Sequence, residues 1–93
     1  MSATGKVDLK PIRKTEMWRP EGDKIVIIDD NATYIHVLNV TASLVWKLSD
    51  GKHTIRDVVK ALTDEYGVSE EEAWNDVSEL LQGLAEKKLI SLE

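Results

Sequence analysis

Residues 38–51 read LNVTASLVWKLSDG and connect two differently patterned halves of the chain. A run of apolar, β-prone residues reaches Leu38, after which Asn39 or Thr41 supplies the side-chain oxygen that starts a helix. The apolar spacing then becomes helical, and Gly51 suits the left-handed position that follows a helix. The stretch therefore predicts a joint between a small sheet and a helical half, and we expect any groove of this protein to run along that joint.

The half that precedes the joint has the pattern of three β-strands. Residues 7–13 alternate apolar and polar side chains, residues 18–23 have the composition of a turn, and Lys24–Ile28 is a buried strand. Residues 29–31, Asp-Asp-Asn, suit a hairpin loop, and residues 33–38 form its partner strand. Successive side chains of a strand point to opposite faces. One face of the partner strand is expected to carry Thr33, Ile35 and Val37, and the other Tyr34, His36 and Leu38.

Three helices are predicted from the joint onward, the first of them within the joint itself. Thr54 is predicted to be a helix N-cap, with Asp57 as a short-armed partner in a capping box. Ser69 is predicted to be the next N-cap, with Glu72 completing its capping box. Residues 89–92 suggest a short terminal strand. The predicted fold is an α+β domain of winged helix-turn-helix type, a three-stranded antiparallel sheet followed by three helices.

Composition limits the protein to a small set of classes. The 93 residues predict one domain over residues 7–93 after a flexible tail over residues 1–6. The net charge of −5 disfavours nucleic acid and anionic membranes as partners. Cysteine is absent, which excludes disulfides. No segment approaches the ~20 apolar residues of a membrane span. We therefore expect a soluble cytoplasmic protein.

The residues that carry enzymatic chemistry are sparse. His36 and His53 are separated by a whole predicted helix, a spacing that suggests neither a metal site nor a catalytic triad. The serines lie in no nucleophile elbow, and the glycines are too scattered for a phosphate loop. The acidic residues 29–31 lack calcium-loop spacing. We expect no enzyme, no metal and no cofactor.

Three binding roles remain open from the residues alone. The second and third helices could form a DNA-binding helix-turn-helix, but residues 69–88 carry six acidic and two basic residues and would repel phosphates. Residues 33–38 could instead be a sheet edge that takes a peptide as an added strand, with Trp74, Ser78 and Leu81 lining a groove beside it. Equally, Trp74 and Leu81 could pack on Trp18 or on the terminal strand. The third role is dimerisation through the same edge.

A series of short blocks runs from the joint to the end of the chain. They are Leu38-Asn39-x-Thr41-Ala42, Asp50-Gly51, Ile55, Val58-Val59, Leu62, Tyr66, Asp76-Val77, Leu80-Leu81, Leu84 and Lys88-Leu89-Ile90. Their order and spacing over residues 37–90 resemble the PqqD family, small proteins of pyrroloquinoline-quinone biosynthesis related to the recognition domains of many modified-peptide pathways. PqqD itself usually has Cys-Asp-Gly at residues 49–51 and a Pro-Glu-Gly turn at residues 29–31. The resemblance is therefore to a PqqD-like protein of another pathway.

The resemblance implies a non-catalytic peptide chaperone. Such proteins capture the leader of a ribosomally synthesised precursor peptide as an added strand between the third strand and the third helix. They present it to a modifying enzyme, often a radical-SAM protein. The resemblance leaves open a monomer or a weak homodimer through the sheet edge. Carried over by position, the expected peptide-binding residues are Thr33, Tyr34, Ile35, His36, Val37, Trp74, Val77, Ser78 and Leu81.

Overall fold

The computed structural model describes residues 9–28 and 35–93. Its strands are β1 (Pro11–Arg13), β2 (Trp18–Glu21), β3 (Lys24–Ile28), β4 (Ile35–Leu38) and β5 (Ile90–Leu92), and its helices are α1 (Val40–Lys47), α2 (Ile55–Tyr66) and α3 (Glu70–Glu86). Across these two described ranges, no helix combines the length and apolar character needed to cross a membrane.

The main sheet is antiparallel, with the strand order β2-β3-β4, and the three helices follow it in the chain. This confirms the predicted fold class. The first strand of this sheet is Trp18–Glu21, however, where a turn was expected, and only Gly22 and Asp23 form the turn. Gly22 has a φ of 68°, which glycine adopts without strain.

The position of β2 in the sheet explains why Pro20 is tolerated within it. The Ile28 N–H donates to the Met17 carbonyl at 2.8 Å, so Ile28 faces β2. Strand residues alternate in direction, and Arg19, opposite Val26, therefore also faces β3. Pro20 is the next residue after Arg19, so its nitrogen, which carries no hydrogen, lies on the outer edge of the sheet. No ladder bond is lost there.

Residues of the first predicted strand belong to a second, smaller sheet. Pro11–Arg13 pairs antiparallel with Ile90–Leu92, and Ile12 lies opposite Ser91. Asp50 adds an isolated bridge to Ile12. The terminal strand is thus confirmed, whereas the predicted place of Pro11–Arg13 in the main sheet is wrong. Residues 7 and 8 and the predicted tail over residues 1–6 lie outside the described residues. The small sheet ties the end of α3 to the end of α1.

The helix starts follow the local capping signals. The Asn39 side chain accepts from the Ala42 N–H and caps α1. Thr54 caps α2, and both bonds of its capping box with Asp57 form. Ser69 caps α3 through the Glu72 N–H. The second bond of a capping box would run from the Ser69 N–H to the Glu72 carboxylate. It is not found over residues 35–93, so this box is only half formed.

The core lies between the main sheet and the three helices. Trp46 is completely buried, and the Trp18 ring packs against it edge-on with ring centroids 6.0 Å apart. The Arg13 guanidinium lies 5.3 Å from the centre of the Trp18 ring. The buried apolar residues are Ile25, Ile27, Leu38, Val45, Trp46, Ile55, Val58, Val59, Leu62, Ala73, Val77, Leu81, Leu84, Leu89 and Ile90.

Candidate functional site

Hydrogen bonding fixes the direction in which the backbone of β3 faces. Because Ile28 donates to Met17, the residue before β2, the alternation along the strand turns Ile25 toward β4. The Ile25 N–H indeed donates to Ser43 Oγ at 2.8 Å, and that hydroxyl donates onward to the Leu38 carbonyl at 3.1 Å. The side chain of Ser43 thus bridges the start of β3 and the end of β4 beside α1.

The same register turns two residues of β4 outward. His36 and Leu38 lie opposite Ile27 and Ile25, so their N–H and C=O groups face β3. The N–H and C=O groups of Ile35 and Val37 therefore point away from the sheet. Within residues 9–28 and 35–93, no strand pairs with this side of β4. The edge strand offers these backbone groups to a partner.

Side-chain burial along β4 confirms the predicted alternation. Ile35 and Val37 are 64% and 63% exposed on the outer face of the sheet. Leu38 is buried and His36 is half-buried on the face toward the helices. Thr33 and Tyr34, which were also predicted to bind peptide, lie outside the described residues, as does the Asp-Asp-Asn loop.

A groove runs between β4 and α3. One part of it has a volume of about 300 Å³. The adjoining part, of about 420 Å³, continues it toward the start of α1, and Glu79 and Leu80 line both parts. The first part is lined by His36, Val37, Leu38, Glu79, Leu80, Gly83, Leu84 and Lys87, and the second by Asn39, Thr41, Ala42, Val45, Leu62, Asp76, Glu79 and Leu80.

The four helix residues predicted to bind peptide are not among the residues that line these two cavities. Val77 and Leu81 are 0% and 1% exposed and belong to the core. Trp74 is half-buried against that core and Ser78 is exposed, and neither lines the two described parts of the groove. The groove-lining residues Glu79 and Gly83 lie five positions after Trp74 and Ser78. Five positions correspond to a rotation of about 140° around a helix with 3.6 residues per turn.

The residues of α3 that face β4 were not predicted from the sequence. Glu79, Leu80, Gly83 and Lys87 form that side. Gly83 carried a usable signal, because glycine inside a helix costs about 1 kcal/mol relative to alanine and often marks close approach of another chain. A Cβ atom at position 83 would have no neighbouring atom within 4 Å, so the groove is open beside Gly83.

Asp50 and His53 form a polar cluster between α1 and α2, apart from the groove. Asp50 accepts from the N–H groups of Lys52 and His53, and its carboxylate lies 3.0 Å from His53 Nδ1. Burial opposes ionisation of Asp50, but these hydrogen bonds outweigh it and lower the pKa of the carboxyl group to about 2. In the described part of the chain, no three His, Asp or Glu residues are grouped to hold a metal ion.

Residues 24–90 match the family described as coenzyme PQQ synthesis protein D (PqqD). The chain belongs to the PqqD family. The matched residues extend from the start of β3 to the first residue of β5. They therefore contain the edge strand, the groove and all three helices of this PqqD-family protein.

The fold is also similar to a solved structure, that of TbiB1 in complex with the TbiA(beta) leader peptide. The TM-score is 0.74 at 21% sequence identity, over 86% of this chain and 95% of that one. This likeness concerns the fold. A search of curated proteins found no match to the chain.

Proposed function

We propose that this PqqD-family protein binds the leader of a ribosomally synthesised precursor peptide as a strand added to β4. The observation that carries the proposal is the outward direction of the Ile35 and Val37 backbone groups, beside a groove walled by α3. Membership of the family supports it. The leader peptide held by TbiB1, a protein of similar fold, supports it further.

Affinity would come from the main chain of the two strands. Each outward residue of β4 can exchange both an N–H and a C=O hydrogen bond with the leader. Such bonds contribute about 0.5–1.5 kcal/mol each. They are available to any extended sequence. Discrimination between leaders therefore falls to side chains that enter the groove beside Leu80 and Gly83.

The proposed role is presentation, without catalysis. The described part of β4 is four residues long, so it can pair with only a short segment of a leader. The rest of the precursor would extend beyond the groove and remain accessible to a modifying enzyme. A radical-SAM enzyme is the partner that we propose first, on the resemblance of the chain to PqqD-like proteins.

Proline substitutions on β4 test the mode of binding. Val37→Pro removes an N–H that points outward, so the sheet should remain folded and leader binding should weaken about tenfold or more. His36→Pro is the matched variant, because it removes an N–H that faces β3 and should destabilise the sheet itself. The ligand is the leader of a precursor peptide encoded beside the gene, with affinity measured by calorimetry.

Folded Val37→Pro that binds this leader as tightly as the wild type would refute strand addition at β4. Circular dichroism and thermal unfolding establish that the variant is folded. If it is not, a leader N-methylated at single positions makes the same test from the peptide side. Methylation at positions that face β4 should then abolish binding to the wild-type protein.

The exposed edge also supports a second candidate, self-association. The outward backbone groups of Ile35 and Val37 would be hydrogen-bonded when β4 pairs with β4 of a second copy. A homodimer of this kind would compete with the leader for the same backbone groups. Sedimentation at two protein concentrations, with and without leader, separates the two roles, because only the dimer would lose mass when the leader is added.

A further inference from the structure

The groove beside β4 has charges of opposite sign at its two ends. Asp76 lines only the part next to Asn39, which follows the end of β4, and Glu79 lines both parts. Lys87 lines only the other part, which borders His36 and Val37 on β4. Helix α3 therefore runs antiparallel to β4, with its acidic half at the Leu38 end of the strand and its basic end at the Ile35 end.

These charges are accessible. Asp76, Glu79 and Lys87 are all exposed. None of the three takes part in an ion pair between described residues, where the pairs are Arg19–Glu21, Asp50–His53 and Lys60–Asp64. A charged side chain that enters the groove can therefore pair with them without displacing a partner among the described residues.

We propose that the groove selects a leader segment that carries a basic residue opposite Asp76 and Glu79 and an acidic residue opposite Lys87. This inference rests on the proposed function, because it requires the leader to lie along β4. Opposite charges at the two ends act mainly on specificity and on the direction of binding. The groove should bind a segment that carries its two charges in one order more tightly than a segment that carries them in the reverse order.

The geometry also sets the spacing of the two charges. Glu79 and Lys87 are eight residues apart on α3, which corresponds to about 12 Å along a helix axis. A strand covers that distance in about four residues at ~3.3 Å each. Side chains four positions apart lie on the same face of a strand, so both can point into the groove.

The order of the charges follows from the direction of pairing. Antiparallel pairing is slightly more stable per residue than parallel pairing. A leader antiparallel to β4 begins at the Leu38 end, beside Asp76 and Glu79, and ends beside Lys87. The preferred segment therefore has a basic residue first and an acidic residue about four positions later.

The test is a selection from a phage-displayed library of random short peptides against three proteins. The first is the wild type. The second is Glu79→Lys/Lys87→Glu, which reverses the groove without changing net charge. The third is Arg56→Glu/Glu65→Lys, a matched swap of exposed residues on α2 that do not line the groove.

The wild type and the α2 variant should enrich peptides with the basic-to-acidic order, and the groove variant should enrich the reverse order. Synthetic copies of an enriched peptide should bind about fivefold more weakly when one of its two charges is removed. This difference should shrink as salt is added.

The outcomes separate this inference from the proposed function. Enriched peptides that lack any charge order, yet fail to bind Val37→Pro, would overturn the charge selection and leave strand addition intact. Enriched peptides that bind Val37→Pro normally, or no enrichment at all, would overturn both.

Discussion

The side chain of Ser43 accepts a hydrogen bond of 2.8 Å from the backbone N–H of Ile25 inside the β3–β4 ladder. The same hydroxyl donates to the Leu38 carbonyl at 3.1 Å. A helix side chain thus takes the place of a direct bond between the two strands. This arrangement fastens the edge strand to α1 and holds the direction of the β4 backbone.

Replacing Ser43 with alanine should lower the free energy of unfolding by about 2 kcal/mol, because it leaves a buried N–H and a buried C=O without their partner. Ser49→Ala is the matched control. Ser49 is also fully buried, but its hydroxyl makes one bond, to the Val45 carbonyl, so we expect about 1 kcal/mol. Urea denaturation measures both values, and equal losses would show that the bridge contributes nothing of its own.

Arg13 joins the two sheets to the end of α1. Its Nη1 donates to the carbonyls of Trp46 and Lys47 at 2.9 and 3.0 Å, while the guanidinium packs on the Trp18 ring. Arg13→Lys should destabilise the protein by about 1–2 kcal/mol, since lysine cannot reproduce the planar fork or its stacking. Thermal unfolding provides the measurement.

The control for this substitution is Arg19→Lys. Arg19 pairs with Glu21 at 2.9 Å on the exposed surface, where an ion pair contributes about 0–1 kcal/mol. We expect almost no change in melting temperature. A similar small change for Arg13→Lys would contradict the role assigned to Arg13.

Lys88 follows the C-cap of α3 in a conformation that favours glycine. Its φ is 62°, and the Leu89 N–H donates to the Leu84 carbonyl at 2.9 Å. Lys88→Gly should therefore raise the free energy of unfolding by about 1 kcal/mol, because glycine relieves the left-handed strain. Lys88→Ala removes the same charge but keeps the strain. If alanine stabilises the protein as much as glycine, the gain comes from the charge.

The Asp50 cluster makes stability depend on acid pH. The pKa of Asp50 falls from an ordinary value of 3.8 to about 2 in the folded protein. The unfolded chain therefore binds more protons than the folded protein between about pH 4 and pH 2. The stabilisation is complete above this window and is lost as the pH falls through it.

Asp50→Asn should remove this part of the pH dependence. Denaturation curves at several values between about pH 5 and pH 2.5 should show the wild type losing stability more steeply than the variant. Asn can still accept hydrogen bonds from the N–H groups of Lys52 and His53, so the fold should persist at neutral pH. Parallel pH profiles for the two proteins would contradict the prediction.

Local signals predicted the helix starts and the alternation of β4, because both depend on neighbouring residues. Asn39, Thr54 and Ser69 each cap a helix through a backbone N–H three residues ahead. The predicted turn was wrong over residues 18–21, which form β2, for a non-local reason. Pro20 and Gly22 favour a turn by themselves, but a proline whose nitrogen faces the outer edge is compatible with a strand.

The helix side of the groove could not be predicted from periodicity. The apolar stripe of α3 is wide enough to suit several rotations of the helix about its axis. Only packing against α1, α2 and the sheet places Val77 and Leu81 in the core and turns Glu79 and Gly83 toward β4. The edge strand itself was predicted correctly as a strand, since its alternation is local.

Amide hydrogen exchange, measured residue by residue by NMR during titration with the precursor leader, tests strand addition most directly. The amides of Ile35 and Val37 point away from β3 in the free protein and should become protected when the leader saturates the groove. The His36 amide faces β3 and should be protected both before and after. Unchanged exchange at Ile35 and Val37 under saturation would show that the leader does not bind as a strand on β4.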